Sequence, residues 1–404
     1  MIAPGGRIVV VGNGMAGQRL LAELDARGMS RGCLAIGAEP RPAYNRILLS
    51  AVLSGERTLD DICLGGRDWY ESRGIELVSN DPVTAIDRAL KRVTLASGRI
   101  EDYGTLVLAT GSRPIKLPLP GADLDGVYAF RDVADVEKLR AVSMGAAAVV
   151  IGGGLLGLEA ASGLAKRGAR VTLVHLMPDL MERQLDSDAA ALLAREVEAR
   201  GIALKLGAKT QAIEGKDGKV VSVVLADGEC LPADLVVMAV GVVPETALAR
   251  ASGLQVSRGV IVDDFLRTSD PDIAALGECA EHRGQTFGLV GPIWEQARVL
   301  AARFAGEDLR YEGSVPATTL KVSGVELFSA GTVREGEGAQ PIVLRDPISG
   351  VYRKLILRDG RLEGAVLFGD SRHSAWYAEA IARRRDVSAW RDTIAFAAPA
   401  LAAE

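Results

Sequence analysis

Residues 7–17 read Arg7-Ile8-Val9-Val10-Val11 and then Gly12-Asn13-Gly14-Met15-Ala16-Gly17, and the fold is decided in this stretch. The β-branched run has the composition of a buried strand, and Gln18 to Arg27 carries the spacing of a helix. Strand, glycine turn and helix thus follow in the order that a dinucleotide-binding unit requires. In such a unit Gly12 permits the tight turn, Gly14 lets the backbone approach a pyrophosphate, and Gly17 lets the helix close on the strand. The helix start, with Met15 and Ala16, offers unpaired N–H groups and the positive end of the helix dipole to the phosphates.

Outward from this turn, Cys33 to Ile36 is a second apolar run ending at Gly37-Ala38-Glu39, which sets a carboxylate 22 residues after Gly17. At that spacing an acidic side chain can accept hydrogen bonds from an adenosine ribose. The same grammar returns in Ala147 to Ile151, Gly152-Gly153-Gly154-Leu155-Leu156-Gly157 and the helical stretch Leu158 to Arg167. Each copy also has a similar closing strand, Tyr103 to Gly111 with Ala109-Thr110-Gly111 at its end, and Ala233 to Gly241. First and closing glycines lie 99 residues apart in one copy and 89 in the other, which reads as an internal duplication. One chain is therefore expected to hold two dinucleotides, and a flavin paired with a nicotinamide implies hydride exchange. At the second site the place of the ribose-binding acid, after the strand Arg170 to Val174, is taken by His175. Histidine has no carboxylate to select a free 2′-hydroxyl and is no arginine-like clamp for a 2′-phosphate, and Arg183 lies further along the chain. NADH is favoured over NADPH, and both stay open.

At 404 residues the chain is long enough for two or three domains. Its 47 lysines and arginines against 52 aspartates and glutamates give a formal charge of −5, which offers nucleic-acid backbones no general attraction. No uncharged apolar run reaches the ~18 residues of a membrane span, and the N-terminal residues lack the pattern of a secretory signal. The four cysteines, Cys33, Cys63, Cys230 and Cys279, are widely separated without any CxxC pair. Neither a metal site nor a vicinal dithiol is expected, and a reducing, cytoplasmic setting fits.

With these marks the chain resembles the pyridine-nucleotide-dependent FAD oxidoreductases, and within them the flavin portion of bacterial assimilatory NAD(P)H nitrite reductases. Beyond the glycine turns, the resemblance is carried by Arg41-Pro42-Ala43-Tyr44-Asn45-Arg46-Ile47-Leu48-Leu49-Ser50 and by Gly277-Glu278-Cys279-Ala280-Glu281-His282. It implies an α/β fold with two Rossmann-like dinucleotide-binding domains, glutathione-reductase-like, and a smaller C-terminal α+β domain. FAD would occupy a discontinuous domain of residues 1–111 and 245–317, NAD(P)H an inserted domain of residues 112–244, and residues 318–404 would form an interface domain. The resemblance sets Arg46 beside the isoalloxazine and phosphates, and Gly277 and Glu278 where the wider family has an aspartate on the ribityl chain. Pro292 and Ile293 would start a helix whose N-terminus faces the flavin pyrimidine ring. Glu159 is implied to lie near nicotinamide and flavin, orienting the amide and not acting as a nucleophile. Many ferredoxin-reductase relatives end the first motif Leu-Ser-Lys, whereas this chain has Leu49-Ser50-Ala51 and no lysine there to pair with Glu159.

The resemblance implies hydride transfer from NAD(P)H to FAD, then electron delivery to a separate redox protein. Without the cysteine-rich iron–sulfur and sirohaem portion of complete nitrite reductases, the expected role is an electron-transfer component serving an assimilatory nitrate or nitrite reductase. The main alternative is a rubredoxin or ferredoxin reductase. Against it, no tryptophan interrupts Ala317-Thr318-Thr319-Leu320-Lys321-Val322-Ser323-Gly324. An alternative of another class is a flavin-binding redox sensor or assembly protein. After about Thr318, Ile342 to Leu344, Tyr352 to Leu357 and Leu362 to Phe368 read as antiparallel strands with a tight Asp359-Gly360 turn. Such a unit suits a homodimer contact or a docking site for a partner, and Trp376 and Tyr377 read as packing aromatics.

Overall fold

The computed structural model describes residues 6–322 and 325–396, which pack as two units. The first gathers the chain up to Leu48, Arg57–Arg113 and Val242–Ser314. Its centre is a parallel sheet in the order Ile273–Ala275, Thr105–Leu108, Ile8–Val11, Leu34–Ile36, Glu76–Val78. The three middle strands are buried throughout, as a parallel sheet covered on both faces demands, and this is why they read as unbroken apolar runs. Val10 stands opposite Ala35 on one side and Val107 on the other, which fixes the register from which the first glycine turn departs. The helix Met15–Asp25 buries Leu20, Leu21 and Leu24 against the sheet. Its other face carries Arg19 and Glu23, and Glu23 pairs with Arg19 at 2.5 Å and with Arg27, just past the helix end, at 2.9 Å. That helix begins directly after Gly14, three residues earlier than the sequence pattern gives, because apolar spacing is blind to the first turn of a glycine-capped helix.

The second unit gathers Leu49–Glu56, Pro114–Gly241 and the chain from Val315. Its parallel sheet runs Ala203–Leu206, Arg170–His175, Ala147–Ile151, Leu235–Met238, Val127–Ala129. The strand leading into each glycine turn is central in both sheets, flanked by the next strand on one side and the closing strand on the other. Each closing strand also follows a small antiparallel sheet, Val83–Asp102 in the first unit and Thr210–Pro232 in the second. The duplication read from the glycine spacing is thus a duplication of whole sheets. It differs in the outermost strand, which comes late in the chain in the first unit and early in the second.

The C-terminal residues form a five-stranded antiparallel sheet ordered Ala317–Val322, Val325–Gly331, Arg361–Phe368, Val351–Arg358, Gln340–Asp346, backed by the helix Ser374–Ala382. Asp359 and Gly360 turn the chain with φ of 48° and 72°, both left-handed as a two-residue hairpin of this type requires. Trp376 and Tyr377 are buried in the core of this sheet and helix. The sheet groups with the second unit. Tyr352 donates its hydroxyl to Asp186 at 2.6 Å and Lys354 pairs with the same carboxylate at 3.0 Å, while Arg345 pairs with Asp188. The short helix Leu49–Ser54 also packs in the second unit, where Gly163 leaves room for Leu53 and Lys166 pairs with Glu56 at 2.5 Å.

Candidate functional site

In the first unit Gly12 takes φ +111°, and a Cβ there would strike the carbonyl of Ala109. Gly17 faces the carbonyl of Gly12 just as closely, so both glycines are demanded by the packing of strand, turn and helix. Gly14 is different, because nothing lies within 4 Å of the position its Cβ would take. An absent side chain in open space is what close approach of a ligand requires. The helix that follows has no side-chain cap and no acidic residue in its first turn, leaving its leading N–H groups to an anion. Two buried polar atoms nearby have no protein partner, Asn13 Nδ2 in the turn and Ser79 Oγ beside Val78, whose carbonyl receives the Gly37 N–H at 2.8 Å. The residues present therefore fit a dinucleotide.

Around this turn the other expected residues gather with defined partners. Glu39 accepts from the Tyr44 hydroxyl at 2.7 Å and from Arg46, whose guanidinium lies 5.2 Å from the Tyr44 ring centre. Each carboxylate oxygen has a second lone pair, so a ribose hydroxyl can share the acceptor. Thr110 donates its hydroxyl to the carbonyl of Glu245 at 2.8 Å, and Gly111, at φ +71°, accepts from the Glu245 N–H at 2.9 Å. Thr110 and Gly111 therefore hold the chain where it returns to this unit, and Ala109 is buried beneath the turn. Gly277, at φ +82°, comes so near the turn that a Cβ would lie 2.9 Å from that of Ala16, and its N–H is held by the wholly buried Gln296 at 2.7 Å. Glu278 is half-buried in a single helical turn, Gly277–Cys279, and receives the Ser112 hydroxyl at 2.9 Å. Pro292 and Ile293 are buried in the first turn of the helix Val290–Phe304, which also lacks a side-chain cap and an early acidic residue.

The second unit repeats the arrangement. Gly152, at φ +121°, presses on the carbonyl of Ala239, Gly157 presses on the carbonyl of Gly152, and Gly154 again faces open space. The helix Leu155–Lys166 starts uncapped, with Leu155 and Leu156 half-buried in its first turn. Gly241, at φ +114°, is exposed and accepts from the Ile115 N–H at 3.0 Å. Glu159 is the fifth residue of the helix, and burial pushes its carboxyl up to about 8. A carboxyl in that range is held largely neutral near pH 7, able to donate as well as accept.

His175 is the last residue of its strand and is buried. Its ring turns inward, with Nδ1 accepting the Gly153 N–H at 3.0 Å and Nε2 lying 3.2 Å from Glu182. Both polar atoms are thus engaged within the protein. A sequence reading gives no role to Tyr44, Ser112, Gln296, Gly153 or Glu182, although the middle glycine of Gly152-Gly153-Gly154, where the first turn has Asn13, was a usable signal. A Cβ at Gly153 would lie 2.6 Å from the His175 ring, so that glycine exists to admit the histidine.

All four cysteines are free. Cys33 and Cys279 are buried, and desolvation raises both thiols, Cys33 to about 11. Among the described residues no cluster of His, Cys, Asp and Glu suits a metal ion, and no helix is long and apolar enough to cross a membrane.

A family model described as pyridine nucleotide-disulphide oxidoreductase matches residues 6–299, and the rubredoxin NAD+ reductase C-terminal domain matches residues 316–385. The NAD(P)H nitrite reductase of Bacillus subtilis is 48% identical over 95% of this chain and 48% of its own length. The assimilatory nitrate reductase electron transfer subunit of the same organism is 43% identical over 95% of this chain and 50% of its own length. The chain spans about half the length of these relatives. The solved covalent complex of putidaredoxin reductase with putidaredoxin matches with a TM-score of 0.87 at 29% identity, over 95% of this chain and 94% of that one. With its paired glycine turns on twin parallel sheets, the chain belongs to the pyridine nucleotide-disulphide oxidoreductase family.

Proposed function

We propose that this chain is an FAD-dependent NAD(P)H oxidoreductase that delivers electrons to a separate redox protein of nitrate or nitrite assimilation. One observation carries the reading: both sheets present an open glycine, Gly14 and Gly154, at the mouth of an uncapped helix, so one chain has two cradles for a pyrophosphate. FAD binds the first, in a domain of residues 1–111 and 245–317. Gly12, Gly14, Met15, Ala16 and Gly17 would grip its phosphates and Glu39 its ribose, and Arg46, paired to Glu39, would lie beside the isoalloxazine and phosphates. Ala109, Thr110, Gly111, Gly277 and Glu278 would line its path, and the uncapped helix start at Val290, with Pro292 and Ile293 buried in its first turn, would offer its free N–H groups to the ring edge where reduction builds charge. NAD(P)H binds the second, residues 112–244, through Gly152, Gly154, Leu155, Leu156 and Gly157, with His175 and Gly241 at its borders.

The bound pair supplies hydride transfer from the nicotinamide to the flavin. Glu159, kept protonated by burial, holds the nicotinamide carboxamide in one orientation and takes no part as a nucleophile. No thiol takes part either, since the four cysteines form no pair. Free cysteines also support a reducing compartment, the cytoplasm.

The acceptor assignment is supported by the likeness to the two Bacillus subtilis proteins, and residues 318–404, of which 323–324 and 397–404 lie outside the described residues, would serve as the interface domain for a partner or a second copy. The C-terminal match to a rubredoxin reductase domain favours a second reading, reduction of rubredoxin or ferredoxin. Reduced protein mixed with purified nitrate and nitrite reductases and with rubredoxin and ferredoxin decides between them. Transfer to the nitrogen enzymes is expected. Transfer to rubredoxin or ferredoxin alone would overturn the first reading.

A further inference from the structure

We propose that Glu182, held in place by His175 and by the glycine turn, reads the adenosine ribose of the nicotinamide nucleotide and makes the second site selective for NADH. The proposal rests on the reading that the second turn binds a nicotinamide dinucleotide. A ribose bound beside such a turn lies at the carboxyl end of the neighbouring strand, where an acidic side chain accepts from the 2′-hydroxyl. Here that strand ends in His175, whose ring is turned inward with only 9% of the residue exposed. Its Nδ1 accepts the Gly153 N–H at 3.0 Å, so the neutral ring carries its proton on Nε2 and donates it to Glu182 Oε2 at 3.2 Å. The histidine thus passes the acidic function outward to a residue seven positions on.

The backbone supports this placement independently of the ring. After the strand the chain doubles back, and the Met181 N–H bonds the carbonyl of Gly153 at 3.0 Å. Met181 is fully buried and takes φ of 51°, a left-handed conformation that side-chain-bearing residues seldom adopt. Both polar groups of Gly153 are therefore engaged, its N–H by His175 and its carbonyl by the residue before Glu182. The acid is anchored to the middle glycine of the phosphate turn at two points. Its side chain remains 25% exposed, and among the described residues its second oxygen has no partner.

A carboxylate accepts from a free 2′-hydroxyl, but a 2′-phosphate brings only acceptor oxygens and like charge. The cations near this place are Arg183, exposed and next in the chain, and Arg334, which donates to the main-chain carbonyl of Glu182 at 3.2 Å. Either favours a phosphate once the Glu182 charge is gone, so removing that charge should turn the preference, not merely weaken it.

The test is calorimetric titration of the flavin-loaded protein with NAD+ and NADP+, with anaerobic flavin reduction by NADH and NADPH alongside. Wild-type protein is expected to bind NAD+ more tightly. Glu182→Gln should weaken NAD+ by roughly ten-fold, the worth of one charge-assisted hydrogen bond, and strengthen NADP+. His175→Asn should shift the ratio in the same direction, and the double variant should be no worse than Glu182→Gln alone, because His175 is a positioning residue that acts through the acid. Flavin content and circular dichroism of each variant verify the fold, and the partly exposed Glu182 tolerates glutamine. An unchanged NAD+ to NADP+ ratio in Glu182→Gln, with both nucleotides still bound, overturns the proposal. Additive effects of the two substitutions overturn the role given to His175. Wild-type protein that binds neither nucleotide overturns the reading of the turn itself, and the proposal with it.

Discussion

Replacing Glu159 by glutamine removes a titration that burial has displaced. Desolvation lifts this carboxyl from 4.5 to about 8 in the folded protein. Below the lower value both states hold the proton, and the group costs nothing. As pH rises through the interval, the unfolded chain releases a proton that the folded protein keeps, so stability falls. Above about 8 the folded carboxyl ionises as well and the deficit stays constant. At ~1.4 kcal/mol per pH unit the full deficit is on the order of 3–5 kcal/mol. Glutamine matches the protonated carboxyl in shape and never ionises, so Glu159→Gln should equal wild type in the acid range and exceed it by that amount in the alkaline range. Urea unfolding of both proteins at about pH 5 and about pH 9 measures this. A difference that does not change between the two conditions would show that Glu159 ionises freely, and the burial argument would fail. Because the amide also keeps a donor and an acceptor, Glu159→Gln should retain much of the rate of flavin reduction, while Glu159→Ala should lose it.

Gly14→Ala adds a methyl where nothing lies within 4 Å, so the thermal stability of flavin-free protein should hold while flavin retention drops, read from the visible absorbance of the purified protein. Full retention would remove the turn as a pyrophosphate cradle. Gly12→Ala, by contrast, drives Cβ into the Ala109 carbonyl and should cost at least ~3 kcal/mol by denaturant unfolding. A thiol reagent should label Cys63 and Cys230 quickly in the native protein, and Cys33 and Cys279 only after unfolding. Fast native labelling of Cys279 would reopen a redox role for it. Arg353, buried at 4% exposure, pairs with Asp370 at 2.5 Å and donates to the carbonyls of Ala395 and Phe396 at 2.9 and 3.2 Å. Arg353→Met should cost ~3–5 kcal/mol and expose the segment around Ile394 to protease, and unchanged proteolysis would contradict the anchoring role.

The architecture was legible because parallel sheets bury both faces of their strands, so Ile8–Val11 and Ala147–Ile151 are apolar without interruption and end at their glycines. The glycine spacing also revealed the duplication. Helix starts were read late, since Gly14 and Gly154 begin helices by backbone geometry and leave no polar capping residue to see. At the turns, the geometry of the fingerprint glycines was legible because their spacing is set by one strand–turn–helix unit. The partners of the other expected residues were not. Tyr44 against Glu39, Ser112 against Glu278 and Gln296 against Gly277 are brought together by chain segments between 5 and 166 residues apart, and nothing local announces them. His175 shows the limit most clearly. It ends the strand after the second glycine turn, yet its ring faces inward because Gly153 gives it room, a pairing that only tertiary packing reveals.

The central claim is that one chain carries a flavin and a site from which a reduced nicotinamide can reduce it. Anaerobic mixing of the purified, flavin-loaded protein with NADH, followed through the visible absorbance of the flavin, tests it most directly. Rapid bleaching, reversed on adding an electron acceptor, is the predicted result. A folded protein that neither retains nor takes up flavin, or whose flavin is left oxidised by both NADH and NADPH, would contradict the account.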